Sequence, residues 1–170
     1  MSGPGTGPQL IQDPGFEFGV GSPYWGESSS GGFEIMTPTN PHSGRYSVDL
    51  CAYPNDTPAC QDIVGQSLNF DVPPGIISAE FTYWFWAGSQ ELAGTCTDYM
   101  TLGVFDATNT ADPANAATYC AADWADQQWH NQSINVTSYL QGHTGQRLDV
   151  TIQAIDDANN KSSEFFVDDL

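Results

Sequence analysis

The sequence SAEFTYWFW, residues 78–86, decides the fold class of this chain. Side chains along a β-strand point alternately to its two faces, so every second residue belongs to the same face. One face here is wholly apolar and consists of Ala79, Phe81, Tyr83 and Phe85. The other face changes from polar to aromatic along the strand and consists of Ser78, Glu80, Thr82, Trp84 and Trp86. The alternation therefore predicts a long strand with one face in a core and two tryptophans on the opposite face.

The same alternation recurs along the chain between clusters of Gly, Pro, Asn and Asp. It predicts the strands Arg45–Tyr53, Ser78–Ala87, Asp98–Asp106, Gln132–Val136, Arg147–Ile155 and Glu164–Leu170. No amphipathic helix of normal length is predicted. Many short strands separated by turns are typical of an all-β sandwich or barrel.

The length and composition of the chain predict one domain after a short N-terminal linker. With 170 residues, of which 39% are hydrophobic and 12% aromatic, the chain can bury its own core. Residues 1–9 include MSGPGTGP, which has no apolar periodicity, and are predicted to be a linker or an expression remnant. Residues 10–170 are predicted to form a single β-sandwich domain.

The charge balance is strongly acidic, with 21 Asp and Glu residues, 3 Lys and Arg residues and a formal charge of −18 at pH 7. Nucleic acids and anionic membrane surfaces bind clustered cationic side chains, so neither is expected as a partner. No apolar run approaches the length of a membrane span, so membrane insertion is not expected either. Divalent cations and uncharged ligands remain as possible partners. A site that gathers carboxylates is stabilised by a bound cation.

The four cysteines, Cys51, Cys60, Cys96 and Cys120, are predicted to form two disulfides. They include no CxxC pair and no His/Cys cluster at zinc-ligand spacing, which favours disulfides over a metal. Three pairings are possible, and we favour Cys51–Cys60 with Cys96–Cys120 because each closes a short segment rich in turn residues. Oxidised cysteines predict a secreted or extracellular protein, and the lack of an apolar signal segment after Met1 predicts a mature or excised chain.

Sequence signals for catalysis are weak, and we predict that the domain is not an enzyme. The chain lacks G-x-S-x-G, H-E-x-x-H and a glycine-rich phosphate loop, and its histidines lie apart in polar stretches, at His42, His130 and His143. Glu91 and Asp98 are close in sequence and could act as a glycosidase acid pair. In so acidic a chain, however, two carboxylates come close by chance.

Four fragments follow one another in order along residues 10–170: Leu10–Glu17 (LIQDPGFE), Pro41–Ser47 (PHSGRYS), Val136–Gln146 (VTSYLQGHTGQ) and Phe165–Leu170 (FFVDDL). Together they resemble the calcium-containing jelly-roll modules related to the family 4, 16 and 22 carbohydrate-binding modules. The resemblance implies an all-β jelly-roll β-sandwich of two antiparallel sheets. Another set, Tyr24–Ile35, Leu50–Tyr53 and Tyr83–Trp84, is more similar to accessory domains of secreted bacterial peptidases, including sedolisin-type enzymes.

In such modules a structural calcium ion joins the first strand to the last, and the resemblance implies calcium as a cofactor here. The implied ligands are the Gly15 carbonyl, the Glu17 carboxylate, carbonyls around His42 and Arg45, and the Asp168 carboxylate. Calcium takes roughly six to eight oxygen ligands, including neutral carbonyls, so this set is chemically sensible. Asp169 is an alternative to Asp168, because a β-bulge in the last strand would exchange them. The other interpretation is that Glu17 and Asp168 are ordinary exposed acids.

The tryptophans of residues 78–86 point to a binding function, with a polysaccharide or cell-surface glycan as the first candidate ligand. Indole rings on a solvated sheet face can stack on the apolar faces of sugar rings. The candidate ligand-binding residues are Trp84 and Trp86, followed by Tyr24, Trp25, Tyr99 and Trp124. Trp129 is expected to cover the edge of the core. The alternative for Trp84 and Trp86 is burial, since tryptophans are more often core residues than ligand platforms.

A second class of function stays open, in which the chain is a protein-binding accessory or adhesive domain without a sugar site. The similarity to peptidase accessory domains favours it, and a surface or filament subunit would be one form of it. An unpaired sheet edge or a flat aromatic patch would then be buried against a neighbouring protein. Aromatic side chains that line a groove would favour a glycan instead.

Overall fold

The computed structural model describes residues 8–51 and 59–170 of the chain. The strands of these residues are β1 (Gly26–Ser29), β2 (Met36–Thr37), β3 (Ser47–Leu50), β4 (Cys60–Ser67), β5 (Glu80–Ser89), β6 (Tyr99–Phe105), β7 (Ala116–Cys120), β8 (His130–Asn135), β9 (Asp149–Asp156) and β10 (Ser163–Asp168). The two helices found there are short: α1 (Ala121–Trp124) and α2 (Thr137–Gly142). Residues 1–7 of the predicted linker, and Ala52 and Tyr53 of the predicted strand Arg45–Tyr53, lie outside the described residues.

The strands form two five-stranded sheets. The first sheet has the order β1-β4-β9-β6-β7, and the second has the order β2-β3-β10-β5-β8. Every pairing is antiparallel, and neighbouring strands are mostly far apart in the chain. Two such sheets packed face to face make a jelly-roll β-sandwich, so the predicted fold class is confirmed.

The core lies between the two sheets and is built from every second side chain of their strands. In β5, Phe81, Tyr83 and Phe85 are at most 3% exposed, which confirms the predicted apolar face. Phe85 lies beside Val167 of β10, and Ile152 faces the core from β9 of the first sheet. Burying each large apolar side chain contributes roughly 1.5–3 kcal/mol, so these alternating residues hold the sheets together.

The predicted strands are all present and differ from the observed ones at their ends, but the sequence pattern did not predict β1, β2, β4 or β7. Two polar residues of β4, Asp62 and Gln66, point inward and are 3% and 5% exposed. Asp62 accepts a hydrogen bond from the Cys51 N–H, and Gln66 exchanges two with the backbone of Gln12. Asp62 Oδ2 and the Gln66 amide thus have partners, whereas Asp62 Oδ1 is buried without one. With polar residues at two of its inward positions, β4 lacks the apolar alternation that marks the other strands.

Two disulfides, Cys51–Cys60 and Cys96–Cys120, join segments that border the sheets. This is the pairing favoured from the sequence. The first disulfide links the end of β3 in the second sheet to the start of β4 in the first sheet. Across residues 8–51 and 59–170, no helix has the length and apolar content that a membrane span requires.

Candidate functional site

Trp84 and Trp86 lie on the outer face of the second sheet, where the alternation predicts them. Both side chains are half-buried. Trp84 lies between Asp168 of β10 and Asn131 of β8, and Trp86 lies beside Phe166. Asp168 and Phe166 are 0% and 3% exposed although they face away from the core. Other groups therefore cover part of this outer face.

The side chain of His42 covers Trp84. The imidazole and indole centroids are 4.0 Å apart with an interplanar angle of 17°, and Trp129 contacts the same imidazole edge-on at 5.3 Å. Trp86 packs edge-on against Phe166, at 5.2 Å between centroids. One ring face of Trp84 is thus already occupied, and a sugar platform formed by Trp84 and Trp86 stays a prediction.

The other predicted aromatic residues lie in three different environments. Trp25 is 4% exposed, with its ring centroid 4.9 Å from that of Phe16. The prediction that Trp25 binds ligand is wrong, because its ring is enclosed in the core. Trp124 lies in α1 and packs edge-on against Phe85 at 5.2 Å, so it covers the edge of the core. Tyr24 is 36% exposed on a loop.

Tyr99 belongs to the outer face of the first sheet, which we call the neutral face. The neutral face consists of outward side chains of all five strands: Ser28, Gln61, Ile63, Tyr99, Thr101, Thr118, Thr151, Gln153 and Ile155. Strand pairing aligns these residues in rows, two of which are Gln61–Ile155–Tyr99, at one end of the sheet, and the adjacent row Ile63–Gln153–Thr101. All of them are half-buried or exposed, so polar and apolar groups alternate on an accessible surface.

The neutral face is almost free of charge. Among the outward positions of β1, β4, β9, β6 and β7, all within the described residues, Asp149 is the one charged residue. It is the first residue of β9, and its Oδ1 accepts a hydrogen bond from the Ser67 hydroxyl at 2.5 Å. In a chain with a formal charge of −18, the centre of this face carries hydroxyl and amide groups in place of carboxylates.

The predicted calcium ligands come together where the two ends of the domain meet. We call this place the terminal acidic site, and it comprises residues 15–17, 42–45 and 168–169. Asp168 Oδ2 accepts hydrogen bonds from the backbone N–H groups of His42, at 2.9 Å, and Ser43, at 3.1 Å. A Cβ atom on Gly15 would lie 3.9 Å from Asp168 Oδ1 and 3.7 Å from Asp169 Oδ1, so the backbone at Gly15 adjoins both acids.

Glu17 reaches the same site from the N-terminal segment. Its Oε1 accepts a hydrogen bond from the Arg45 N–H at 2.8 Å. The close approach depends on Gly44, which has a φ of 61° and whose Cβ, if present, would collide with Glu17 Oε1. A residue with a side chain would be strained in this conformation and would also push Glu17 away.

The terminal acidic site is short of positive charge. Asp168 is 0% exposed, and burial together with the neighbouring charge of Asp169 raises its pKa to about 6, against the effect of the backbone N–H groups. His42 Nδ1 lies 2.6 Å from Asp169 Oδ2, but no ion pair among the described residues involves Asp168 or Glu17. Carboxylate oxygens and nearby carbonyl groups are hard donors, and this donor set fits calcium.

Glu91, Asp98 and Asp157 form a second acidic group, whose carboxylate oxygens lie within 4.8 Å of one another. Lys161 Nζ is 3.2 Å from Glu91 Oε2 and supplies a positive charge. Asp98 is 1% exposed, its pKa is raised by burial, and it accepts hydrogen bonds from the Asp157 N–H and the Ser163 hydroxyl. A carboxyl group enclosed in this way does not reach a glycosidic bond, so the geometry does not favour a Glu91–Asp98 acid pair.

The fold is shared with several solved carbohydrate-binding modules, although no family model and no curated protein sequence matches the chain. A family 61 module in complex with β-1,4-galactotriose aligns with a TM-score of 0.58 at 19% identity, over 96% of both chains. A family 28 module specific for non-crystalline cellulose aligns with a TM-score of 0.54 at 18% identity, over 94% of this chain and 92% of that one.

A Stig cyclase from Fischerella sp. TAU, solved with an indole compound, has the same architecture. It aligns with a TM-score of 0.52 at 14% identity, over 94% of this chain and 92% of the cyclase. At such low identities these similarities show the fold alone. The sandwich therefore serves both sugar-binding modules and a protein named as a cyclase, and function has to be argued from the residues of this chain.

The polar residues of the neutral face were not predicted as site residues. A signal for them was present in β9, where the apolar Val150 and Ile152 alternate with the uncharged Thr151 and Gln153. The alternation showed that Thr151 and Gln153 face outward, but their alignment beside Tyr99 depends on the register of three strands. That register is not readable from one sequence.

Proposed function

We propose that this protein is a non-catalytic module that binds an uncharged polysaccharide across the neutral face. The observation that carries the proposal is the composition of that face, which holds hydroxyl, amide and apolar groups in a chain with 21 acidic residues. Sugars present hydroxyl groups at their edges and C–H groups on their ring faces, so a binding surface for them combines polar side chains with an aromatic ring.

Tyr99 is the proposed stacking residue, in place of the tryptophans. It is half-buried in the row at one end of the sheet, next to the aliphatic side chain of Ile155. Gln153 and Thr101 lie in the adjacent row and can donate and accept hydrogen bonds. The aromatic ring thus lies beside hydrogen-bonding groups on one surface, which the His42-covered face of Trp84 does not offer.

The charges of the chain favour a neutral over an acidic polysaccharide. Recognition of a uronate or sulfate calls for Arg or Lys in the site, and the cationic residues lie elsewhere. Arg147 pairs with Asp71 and Lys161 pairs with Glu91, while Arg45 lies over the Tyr46 ring. The negative field of the whole protein would also repel a polyanion.

The solved neighbours support a polysaccharide ligand as the first class to test. They include one module solved with galactotriose and one specific for non-crystalline cellulose. Both are β-linked, uncharged glycans, which agrees with the neutral face of this chain. The neighbours do not indicate which sugar this chain binds, so the test uses a panel.

We further propose that a structural calcium ion is held at the terminal acidic site. The candidate ligands are the Gly15 carbonyl, the Glu17 carboxylate, carbonyls of residues 42–45 and the Asp168 carboxylate, with Asp169 as the alternative acid. What supports the proposal is a buried carboxylate, Asp168, without an ion-pair partner among the described residues. The ion would supply charge compensation there and tie the N-terminal segment to β10.

The two disulfides support a secreted or extracellular location. We propose that residues 10–170 are a single folded domain and that residues 1–9 are a linker or an expression remnant. An accessory domain of a secreted peptidase is one such context, and it is a proposal that rests on sequence similarity alone.

A second candidate function is protein binding, and an exposed apolar patch favours it. Phe18 and Val20 are 60% and 56% exposed, and Phe18 packs edge-on against Tyr24 at 5.2 Å. A patch of this kind would be covered in an accessory or adhesive domain. Phe18→Ser should abolish such an interaction and leave polysaccharide binding unchanged.

Affinity electrophoresis in gels that contain a polysaccharide tests the proposed function. The panel contains soluble β-1,4-galactan, hydroxyethyl cellulose and, as an acidic comparison, polygalacturonate. We expect at least one neutral polysaccharide to retard the parent protein and the Ile77→Ala control, because Ile77 is 92% exposed outside the neutral face. Tyr99→Ala should migrate as in a gel without polysaccharide. Retardation by polygalacturonate alone would overturn the proposal.

A further inference from the structure

His42 connects the tryptophans of the second sheet to the terminal acidic site. Its imidazole stacks on Trp84 at 4.0 Å and touches Trp129 at 5.3 Å. The backbone N–H of the same residue donates to Asp168 Oδ2 at 2.9 Å, and its Nδ1 lies 2.6 Å from Asp169 Oδ2. One residue is therefore fixed by two aromatic rings on one side and by two acids on the other.

The segment that carries His42 has little regular structure of its own to hold it in place. Residues 38–46 connect β2 to β3, and their hydrogen bonds run largely to the acids of the terminal acidic site. The Ser43 hydroxyl donates to Asp169 Oδ1 at 2.7 Å, which adds a further tie of the same kind. The stacked imidazole is an attachment to the rigid sheet that does not involve a carboxylate.

We infer that Trp84 and Trp129 are positioning residues for the cation site, acting through His42, and that they are not the sugar platform. The inference rests on the calcium site proposed above and is independent of the glycan site on the other sheet. A loop that must be ordered on binding weakens affinity, whereas a loop held in its binding geometry strengthens it. The indole stack holds residues 42–45 against the acids before the ion arrives.

Trp86 provides a matched comparison within the same strand. It lies two residues from Trp84, on the same outer face, and is also half-buried. Its ring packs against Phe166 and above Gly88, whose Cβ, if present, would come within 2.7 Å of the indole. Trp86→Leu therefore removes an indole from this face and leaves the stack of His42 on Trp84 in place.

Calcium binding is measured by titration calorimetry on full-length protein that has been stripped with a chelator. We expect Trp84→Leu to weaken the affinity for Ca²⁺ by about fivefold to tenfold, as loss of one aromatic stack should, and Trp86→Leu to change it by less than about twofold. Glu17→Gln removes a proposed ligand and should abolish binding. Amide hydrogen exchange at Ser43 in the apo protein should be faster in Trp84→Leu than in Trp86→Leu.

A second variant distinguishes a loss of the imidazole stack from a general loss of folding. His42→Ala removes the imidazole without altering the sheet or the backbone carbonyl, and it should weaken Ca²⁺ binding as Trp84→Leu does. Equal Ca²⁺ affinity in His42→Ala, Trp84→Leu and Trp86→Leu would overturn the inference, as would a parent protein that binds no Ca²⁺. Loss of polysaccharide retention in Trp84→Leu with unchanged Ca²⁺ affinity would also overturn it and would return Trp84 to the sugar site.

Discussion

Replacing Asp49 with Asn should stabilise the protein at neutral pH and flatten the dependence of its stability on pH. Asp49 lies in β3, is 8% exposed, and its Oδ1 is a buried oxygen without a hydrogen-bond partner. Burial, and then the charges of Glu164 and Asp62, raises its pKa to about 8 from an ordinary value of 3.8. At neutral pH the folded protein therefore keeps a proton on Asp49.

The size and sign of the effect follow from proton linkage. Between about pH 4 and pH 8 the folded state binds a proton at Asp49 that the unfolded state has lost, so stability falls as the pH rises. One bound proton corresponds to about 1.4 kcal/mol per pH unit, or roughly 3 kcal/mol between pH 5 and pH 7. Asn carries no titrating group, so the Asp49→Asn variant lacks this contribution.

Urea unfolding at pH 5, 6 and 7 measures the difference. The free energy of unfolding of Asp49→Asn minus that of the parent should grow by roughly 3 kcal/mol from pH 5 to pH 7. The control Glu80→Gln removes an exposed carboxylate of β5. Its free energy of unfolding should change with pH as that of the parent does. Parallel curves for the parent and Asp49→Asn would refute the reasoning, because Asp49 would then ionise alike in both states.

Three further outcomes are expected. Chelation of calcium should lower the melting temperature by roughly 5–10 °C relative to protein with free calcium at about 100 times its Kd. The reason is that bound calcium at that concentration stabilises the folded state by about 2.7 kcal/mol. An unchanged melting temperature would contradict the cation site. Gly44→Ala should destabilise the protein by about 2 kcal/mol or more in urea unfolding, because its φ is 61° and its Cβ would meet Glu17; a neutral substitution would contradict this. Thiol titration of the denatured, unreduced protein should find no free thiol, and opening Cys51–Cys60 or Cys96–Cys120, with sequence separations of 9 and 24, should cost about 3 kcal/mol each; two free thiols would contradict the disulfides.

The fold could be predicted from the sequence where apolar alternation is strong. Residues 78–83 alternate between polar and apolar side chains, and residues 80–86 form the first part of β5 with the expected side toward the core. The pattern failed at β4, where Asp62 and Gln66 face inward and accept hydrogen bonds from the backbone N–H groups of Cys51 and Gln12. A buried polar residue with a distant partner has the same sequence signature as an exposed one.

The site was harder to predict than the fold, because accessibility depends on residues that are remote in the chain. The alternation correctly placed Trp84 on the outer face, yet His42, from another loop, occupies one side of its ring. Trp25, a candidate ligand-binding residue from the sequence, is enclosed beside Phe16. The predicted metal ligands, in contrast, lie together at the terminal acidic site, because the resemblance to calcium-containing modules implied them as one set.

The central claim is that a neutral polysaccharide binds on the neutral face, and chemical-shift mapping of the ¹⁵N-labelled protein tests it most directly. The titrant is β-1,4-galactotriose or a cello-oligosaccharide, chosen by the electrophoresis panel. The largest shifts should fall on the backbone amides of Tyr99, Thr101, Thr151 and Gln153, with no shift of the Trp84 and Trp86 indole N–H signals. Shifts confined to those indoles, or the absence of any shift with every neutral oligosaccharide, would contradict the account.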